Sequence, residues 1–445
     1  MPRVIDSASD VFLEDRRYLT IKQRSLLVVN RMSTIDIEYY PAIPEENVQD
    51  LELELKKNAK NFDKPFFFEP RKHFDMAAIK KVCDPIIAKG IEHVIVIGTG
   101  GSIQTMLALL PFCERHVHPI MCSRPTELRD LLKTPGIKEK SIVVPISRGG
   151  ETLDINSVLF LFARFKMLGL SSKGAMNGIL KTFNAQIMDV PDLSGRFAGS
   201  CTNVALVPAY LAGINIDVFV SGLEEGYDLY APKMPFSANP AKKFSYYLYR
   251  LYKNGCCNVF NMPYFSWLEG AVGLWVQELS ESTGKDGLGL LGTSQAAPVC
   301  QHSVLEYLLG GPKYHTLPML WTINKDPNDM PLNSAIPNVQ DKTAAQAILY
   351  QANATFEALL TKGIPAAMLS MEIPTIKNIG HLIAFIQSTV YYTCLFFNVN
   401  WADNPNVVLG KDICNEAMTE KKSWTELQER RKELGEGQFP DFWVL

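Results

Sequence analysis

Short apolar runs, each closed by a glycine-rich turn and followed by a helical stretch, constrain this chain more than any other feature. HVIVIG (93–98) is β-rich and apolar, and it runs through glycines into the helical SIQTMLALLPFC. HPIMCS (118–123) reads as a second strand and PTELRDLLK as a helix; SIVVPIS (141–147) is a third strand, and ETLDINSVLFLFARFKML (151–168) reads as one long amphipathic helix. Strands that alternate with helices across short joints form a parallel sheet covered on both faces. The pattern returns later. Helices are expected over 241–254, 266–282 and 343–363, and strands over CCNVF (256–260), HTLPMLWTI (315–323) and AAMLSMEI (366–373).

The fold class is therefore α/β, with two doubly wound parallel-sheet subdomains and a helical C-terminal part. The Pro-rich joint MPFSANPA (234–241) marks a boundary. The expected organisation is an N-terminal arm (1–45), a first α/β subdomain (46–233), a second (234–375) and a C-terminal helical segment (376–445) packing across both. ENVQDLELELKKNAK (46–60) reads as an exposed helix.

Charge and cysteine content exclude several classes. Lys plus Arg is 44 and Asp plus Glu is 47, so the formal charge is 44 − 47 = −3. A near-neutral chain does not suit DNA or an anionic membrane as a bulk electrostatic partner. Nine cysteines, none in a Cys-x-x-Cys pair and two adjacent (Cys256 and Cys257), read as free thiols in a reducing compartment. Cys83, Cys394 and Cys414 sit in apolar runs and are expected to be buried. The opening MPRVIDSASDVFLEDRR has no apolar core and carries early acids, unlike a secretory or transit peptide. The uncharged stretch Leu382 to Trp401 holds Gln387, Ser388, Thr389 and Thr393, and reads as a central helix of a soluble core rather than a membrane span. The expected location is the cytoplasm.

Two strand-to-helix loops could hold an anion. In GTGGS (98–102), Gly100 and Gly101 let the backbone approach a ligand, and Ser102 adds a hydroxyl at a helix start. A dinucleotide fingerprint would need glycine where Ile103 stands and an acid near Cys122, Ser123 and Arg124, so that reading fails. In SRGGET (147–152), the Ser147 and Thr152 hydroxyls and the N–H groups of Arg148, Gly149 and Gly150 would make a donor nest. Both loops would open at the carboxyl edge of one sheet, where open α/β sheets bind ligands. A tight turn with no ligand is the plain alternative for either.

Four reactive side chains stand near loops or helix ends: Arg196 in SGRF, Glu281 in QELSESTGKDG, His302 in QHS and Lys411 in NPNVVLGK. On helical spacing Glu281 lies one turn beyond Gln277, on the same face. Each taken alone also fits a surface ion pair or a solvated helix end, and acids such as Glu278 fit the latter. His116 and His118 are two apart with no third ligand nearby, so no metal site is expected. What is left is proton transfer on a small anionic molecule.

Together these segments resemble the glucose-6-phosphate isomerase family of the sugar-isomerase superfamily. VIVIGTGGS resembles the family's first glycine loop, and ISRGGET its phosphate loop, closer still to the S-x-S-G-x-T of sugar-isomerase domains. SGRFAGSCTNVALVPAYLAGI resembles G-G-R-F-S-V-x-S-x-x-G-L-x-P; WVQELSESTGKDG resembles Q-L-x-x-E-S-x-G-K. CQHSVLEYLLGGPK resembles D-Q-H-S-x-x-Q-L-x-x-x-G-P, and NPNVVLGK resembles Q-P-x-V-E-x-G-K. All six occur in family order over residues 94–411.

The resemblance implies reversible isomerisation of glucose 6-phosphate and fructose 6-phosphate, a step of glycolysis and gluconeogenesis, through ring opening and a cis-enediolate. It implies Glu281 as the base moving a proton between C1 and C2, and Arg196 as the stabiliser of the enediolate charge. His302 and Lys411 would assist ring opening, with His302 reaching in from the partner of a homodimer. Gly100, Gly101, Ser102, Ser147, Arg148, Gly149, Gly150 and Thr152 would hold the phosphate, and Gln277 the sugar. No cofactor and no metal are implied.

The sequence departs from the pattern in places. The loop reads S-R-G-G-E-T-L-D against S-K-S-G-T-T-T-E, so Gly149, Glu151 and Leu153 lack hydroxyls; related sugar-isomerase loops carry Glu at the Glu151 position, which implies that it points away. Cys300 and Val408 replace acids. These changes bear on phosphate affinity and substrate range. They keep two alternatives open: a dual-specificity enzyme that also takes mannose 6-phosphate, and a non-catalytic sugar-phosphate-binding regulator.

Overall fold

The computed structural model describes residues 27–32, 34–43 and 47–435, and the opening segment read above for targeting signals lies outside them. The strands are β1 (Val28–Arg31), β2 (Ile35–Tyr40), β3 (His93–Ile97), β4 (His116–Ile120), β5 (Ser141–Pro145), β6 (Leu168–Leu170), β7 (Gln186–Met188), β8 (Asn258–Pro263), β9 (Leu291–Ser294), β10 (Thr316–Ile323) and β11 (Ala366–Met371).

The first α/β half is built on parallel strands in the order β4-β3-β5, with β6 and β7 paired beside them. Parallel bridges Val143 to Met167 and Ile146 to Leu170 carry the sheet from β5 to β6. β3 is central, and Val94 to Ile97 are fully buried. Val94 and Val96 enter the main core, whereas Ile95 and Ile97 enter a second apolar cluster with Ile120, Val143, Leu159 and Met176. This alternation is why a strand covered on both faces reads as an unbroken apolar run.

The long helix expected over 151–168 is not formed. A helix spans Leu153–Leu159, a single 3₁₀ turn spans Phe160–Phe162, and residues 168–170 are strand β6. Only its end joins the sheet, where Met167 and Leu170 bridge to Val143 and Ile146, because parallel pairing there outweighs a helical pattern whose Phe160 and Leu161 end up exposed.

The second half is a six-stranded sheet in the order β1-β2-β11-β10-β8-β9, with β8 to β11 parallel and β1 and β2 antiparallel. Val28–Arg31 and Ile35–Tyr40, which lie in the stretch read from the sequence as an arm, are sheet strands. Ile35, Ile37 and Tyr39 alternate with Asp36 and Glu38, and the apolar set is buried. The helix at Val48–Asn58 is also less exposed than its composition implies, since Leu51 and Leu55 are buried and Asn58 Nδ2 donates to the Leu395 carbonyl at 2.8 Å.

The chain forms two compact units, residues 1–402 and 403–445. Within the first, the helix Ile376–Phe397 runs through the core, buried along its length, and packs on the helices Ile216–Tyr230, Pro240–Lys253 and Ser266–Thr283. It meets the Ile216–Tyr230 helix closely: a Cβ on Gly222 would lie 1.9 Å from the Lys377 carbonyl. Only glycine allows that approach. The second unit holds helices Val407–Thr419 and Trp424–Gly435, and contains Lys411. All nine cysteines are free. Cys83 and Cys394 are buried as expected, but Cys414 is exposed, since no residue of its helix is buried.

Candidate active site

The Ser266–Thr283 helix leaves β8 of the second sheet and packs against the Gln104–Leu109 helix of the first half. One face is apolar and buried, through Leu268, Val272, Trp275 and Leu279. Its last turns carry Gln277 and Glu281, and Gln277 Nε2 donates to Glu281 Oε2 at 3.0 Å. The four-residue spacing read from the sequence therefore does place both on one face.

Arg196 reaches this carboxylate from the Gly195–Cys201 helix. Its Nη1 donates to Glu281 Oε1 at 2.9 Å, Nη2 to the Trp401 carbonyl at 2.8 Å and Nε to Ser282 Oγ at 3.2 Å. The side chain is only 4% exposed and Glu281 is 21% exposed. A guanidinium removed from water needs partners on every edge, and two distant chain segments, the end of the Ser266–Thr283 helix and the backbone at Trp401, supply them here.

The GTGGS loop backs directly onto this pair. A Cβ on Gly101 would lie 2.6 Å from the Gly195 carbonyl and 2.7 Å from Arg196 Cα, and one on Gly100 would lie 3.1 Å from Gln277 Nε2. The glycines let the first loop close over Arg196 and Gln277. Ser102 ends its 3₁₀ turn and is part-buried.

The SRGGET loop is folded on itself. Ser147 Oγ accepts from Gly150 N–H at 3.0 Å and lies 2.9 Å from Thr152 Oγ1. Arg148 Nη1 donates to the Leu193 carbonyl, three residues before Arg196. Its guanidinium also lies 3.7 Å from Asp192. Both glycine-rich loops thus border the segment that carries Arg196. Glu151 Oε1 accepts from the Ala175 backbone N–H at 2.7 Å, at the start of the helix Gly174–Thr182. Its carboxylate is directed at that helix rather than along the loop.

No family model matches the chain. It is 25% identical over 395 residues to glucose-6-phosphate isomerase of Caldanaerobacter subterraneus, covering 80% of this chain and 87% of that protein. It is 25% identical over 348 residues to glucose-6-phosphate isomerase of Methanocaldococcus jannaschii, covering 73% and 84%. The crystal structure of a glucose-6-phosphate isomerase from Chlamydia trachomatis superposes with a TM-score of 0.74 at 14% identity, covering 95% of each chain. In sequence and in fold, this chain is similar to glucose-6-phosphate isomerases.

Four residues were singled out from the resemblance to glucose-6-phosphate isomerases, and the first unit brings two of them together, Arg196 and Glu281. His302 is exposed on the Gln301–Gly310 helix. Lys411 is exposed on a helix of the second unit.

The sequence reading missed the groups that hold Arg196 and the burial of the residues on either side of Glu281. Ser282 and the Trp401 carbonyl hold Arg196, and a backbone carbonyl leaves no mark in a sequence. Lys285, in the quoted STGK, is 6% exposed and donates to the Asn400 carbonyl. Glu278 is not on a solvated helix end: it is fully buried, and burial pushes its carboxyl up to about 8. Elsewhere, His93 joins His116 and His118 across β3 and β4, with His93 Nδ1 3.0 Å from His118 Nε2. Among the described residues no group of three or more His, Cys, Asp or Glu is arranged to hold a metal ion.

Proposed function

We propose that this chain is an intramolecular aldose–ketose isomerase that interconverts glucose 6-phosphate and fructose 6-phosphate. The observation that carries this reading is the 2.9 Å contact between Arg196 and Glu281, bordered by two glycine loops, in a chain similar to glucose-6-phosphate isomerases.

Glu281 takes the proton from C2 of the opened aldose. The electron pair of that bond forms the C1–C2 double bond, and the former carbonyl oxygen gains the negative charge. The C2 hydroxyl proton passes to the C1 oxygen, Glu281 returns its own proton to C1, and the ketose results with its carbonyl at C2. One carboxylate that both takes and returns a proton is sufficient. As Glu281 loses its charge the substrate gains one, so the positive charge of Arg196 is matched at each stage. The Trp401 carbonyl and Ser282 keep the guanidinium in place during the exchange. Gln277 steadies the Glu281 carboxylate and contacts the sugar. Ser102, Ser147, Thr152 and the N–H groups of Gly100, Gly101, Arg148, Gly149 and Gly150 hold the 6-phosphate, which orients the reacting carbons through binding far from them.

His302 and Lys411 open the ring. In this reading the enzyme is a cytoplasmic homodimer, and the exposure of His302 in the single chain supports its delivery to the partner's site. The chemistry calls for no redox cofactor and no metal.

The purified chain should convert glucose 6-phosphate to fructose 6-phosphate in a coupled assay without added metal. Glu281→Gln should lower turnover by about 10² to 10⁴-fold, the range of general-base contributions. Full activity in that variant removes Glu281 from the role. Mannose 6-phosphate in the same assay separates a dual-specificity enzyme from a strict one, and calorimetric binding without turnover would identify a regulator.

A further inference from the structure

One turn before Glu281, the same helix buries a second carboxyl. Glu278 has no exposed surface. Its Oε1 accepts from Gln387 Nε2 at 2.8 Å, and its Oε2 has no hydrogen-bond partner among the described residues. Gln387 Oε1 accepts from the Ser200 hydroxyl at 2.9 Å and from the Tyr227 hydroxyl, which leaves its Nε2 facing Glu278. The core helix thus presents an amide donor to one carboxyl oxygen and leaves the other without a partner. A carboxylate is poorly supported by a single neutral hydrogen bond, whereas the neutral acid fits such a site. At this position the pattern Q-L-x-x-E-S-x-G-K has leucine, so the resemblance gives Glu278 no role.

The charges around Glu278 come from three helices. Arg196 and Cys201 lie on Gly195–Cys201, Tyr227 on Ile216–Tyr230, and Glu281 on the same helix as Glu278. Cys394, from the core helix, approaches the Ser282 carbonyl at 3.4 Å. Neither the Gln104–Leu109 helix nor strands β8 and β9 carry an ionisable side chain. Burial raises the Glu278 carboxyl most, Gln387 and Arg196 lower it, and Glu281 raises it. Burial also pushes the Cys201 thiol to about 12 and the Tyr227 hydroxyl well up, so these two stay neutral through the working range.

We propose that Glu278 is a positioning residue, kept as the neutral acid beneath the Arg196–Glu281 pair, whose ionisation divides Arg196 between two carboxylates and so slows isomerisation on the alkaline side. When Glu278 is neutral, the guanidinium charge serves Glu281 and then the enediolate. When it is ionised, a second negative charge sits under Arg196 and opposes the charge that develops on the substrate. The proposal rests on the isomerase reading above.

The test is the pH profile of kcat/KM from pH 6 to 9.5 for the native chain and for Glu278→Gln, an uncharged side chain of the same shape. At pH 6.5 the two should agree within about two-fold. At pH 9 the variant should be faster by about ten-fold, the reciprocal of the fraction of a carboxyl titrating near 8 that still holds its proton. Every other group is the same in both proteins, so its effect cancels in the comparison. Superimposable profiles overturn the proposal, and so does a variant slower by one constant factor at every pH, which would mark packing alone.

Should Glu278→Gln not fold, infrared titration of Glu281→Gln decides. A protonated-carboxyl band that disappears with the midpoint of the native alkaline fall supports the proposal, and the absence of such a band overturns it. A native chain with no isomerase activity at any pH defeats the isomerase reading, while the infrared titration still reports the state of Glu278.

Discussion

Arg196 and Glu281 stand 85 residues apart in the chain and 2.9 Å apart in space, joined by a guanidinium nitrogen and a carboxylate oxygen in a mostly buried contact. The pair connects the two α/β halves, because the arginine follows the first sheet and the glutamate ends a helix that leaves the second. A site made this way depends on the fit of the halves as much as on its own side chains.

Arg196→Lys should show how much of the site is geometry. An ammonium keeps the charge but cannot reach Glu281, Ser282 and the Trp401 carbonyl together, as the guanidinium fork does. Turnover should fall by about 10² to 10³-fold, comparable with loss of an oxyanion-stabilising donor, with KM changed much less. Steady-state kinetics at saturating substrate decide it; retention of most of kcat would mean that the charge alone suffices.

Gly101→Ala should disturb Arg196 from behind. The added methyl would sit 2.6 Å from the Gly195 carbonyl and 2.8 Å from the Arg196 nitrogen, both backbone atoms that cannot rotate away. Overpacking of this kind costs about 1–3 kcal/mol, and a shift of the arginine by a fraction of an ångström should lower kcat/KM by about 10²-fold. Gly149→Ala meets nothing within 4 Å and is the stability control. Equal urea midpoints for the two variants would contradict this packing.

Glu151→Ala should weaken the fold and spare the substrate. The carboxylate satisfies the Ala175 N–H at a helix start, a cap whose loss costs about 0.5–2 kcal/mol. KM for the sugar phosphate should stay within about two-fold of native. A ten-fold rise in KM would place Glu151 on the phosphate after all.

His381 gives the stability a pH dependence. It is 1% exposed, its Nε2 lies 2.6 Å from the Tyr230 hydroxyl, and burial lowers its pKa to about 4. Below pH 6.5 the unfolded chain takes up a proton that the folded chain refuses, so this histidine's contribution is intact above about 6.5 and is lost as pH falls towards 4. The loss approaches about 3 kcal/mol, from 1.36 kcal/mol per pKa unit. Urea unfolding at pH 7.5 and 4.5 should show the native chain losing more stability than His381→Gln, and equal losses would rule the histidine out.

Several features were legible before any coordinates. Val94 to Ile97 and Thr316 to Ile323 announce strands because a parallel strand is apolar on both faces. Gln277 and Glu281 share a face because helical spacing requires it. Glycines at 100 and 101 mark a close approach, although not what is approached. Residues 151–168 were misread because the strand at Leu168–Leu170 exists only through its pairing with a distant neighbour.

The sequence alone determined the alternating α/β architecture, the two glycine-rich strand-to-helix loops and the reactive residue types, since these follow from local periodicity and from the chemistry of single side chains. Only the tertiary structure decided which of them meet. Arg196 is held by a carbonyl and a hydroxyl from distant segments, and Glu278 passes from a surface acid to a buried neutral one because three helices close around it. Burial and proximity belong to the packed chain and not to any residue in it, and they set the charge state on which the proposed chemistry turns.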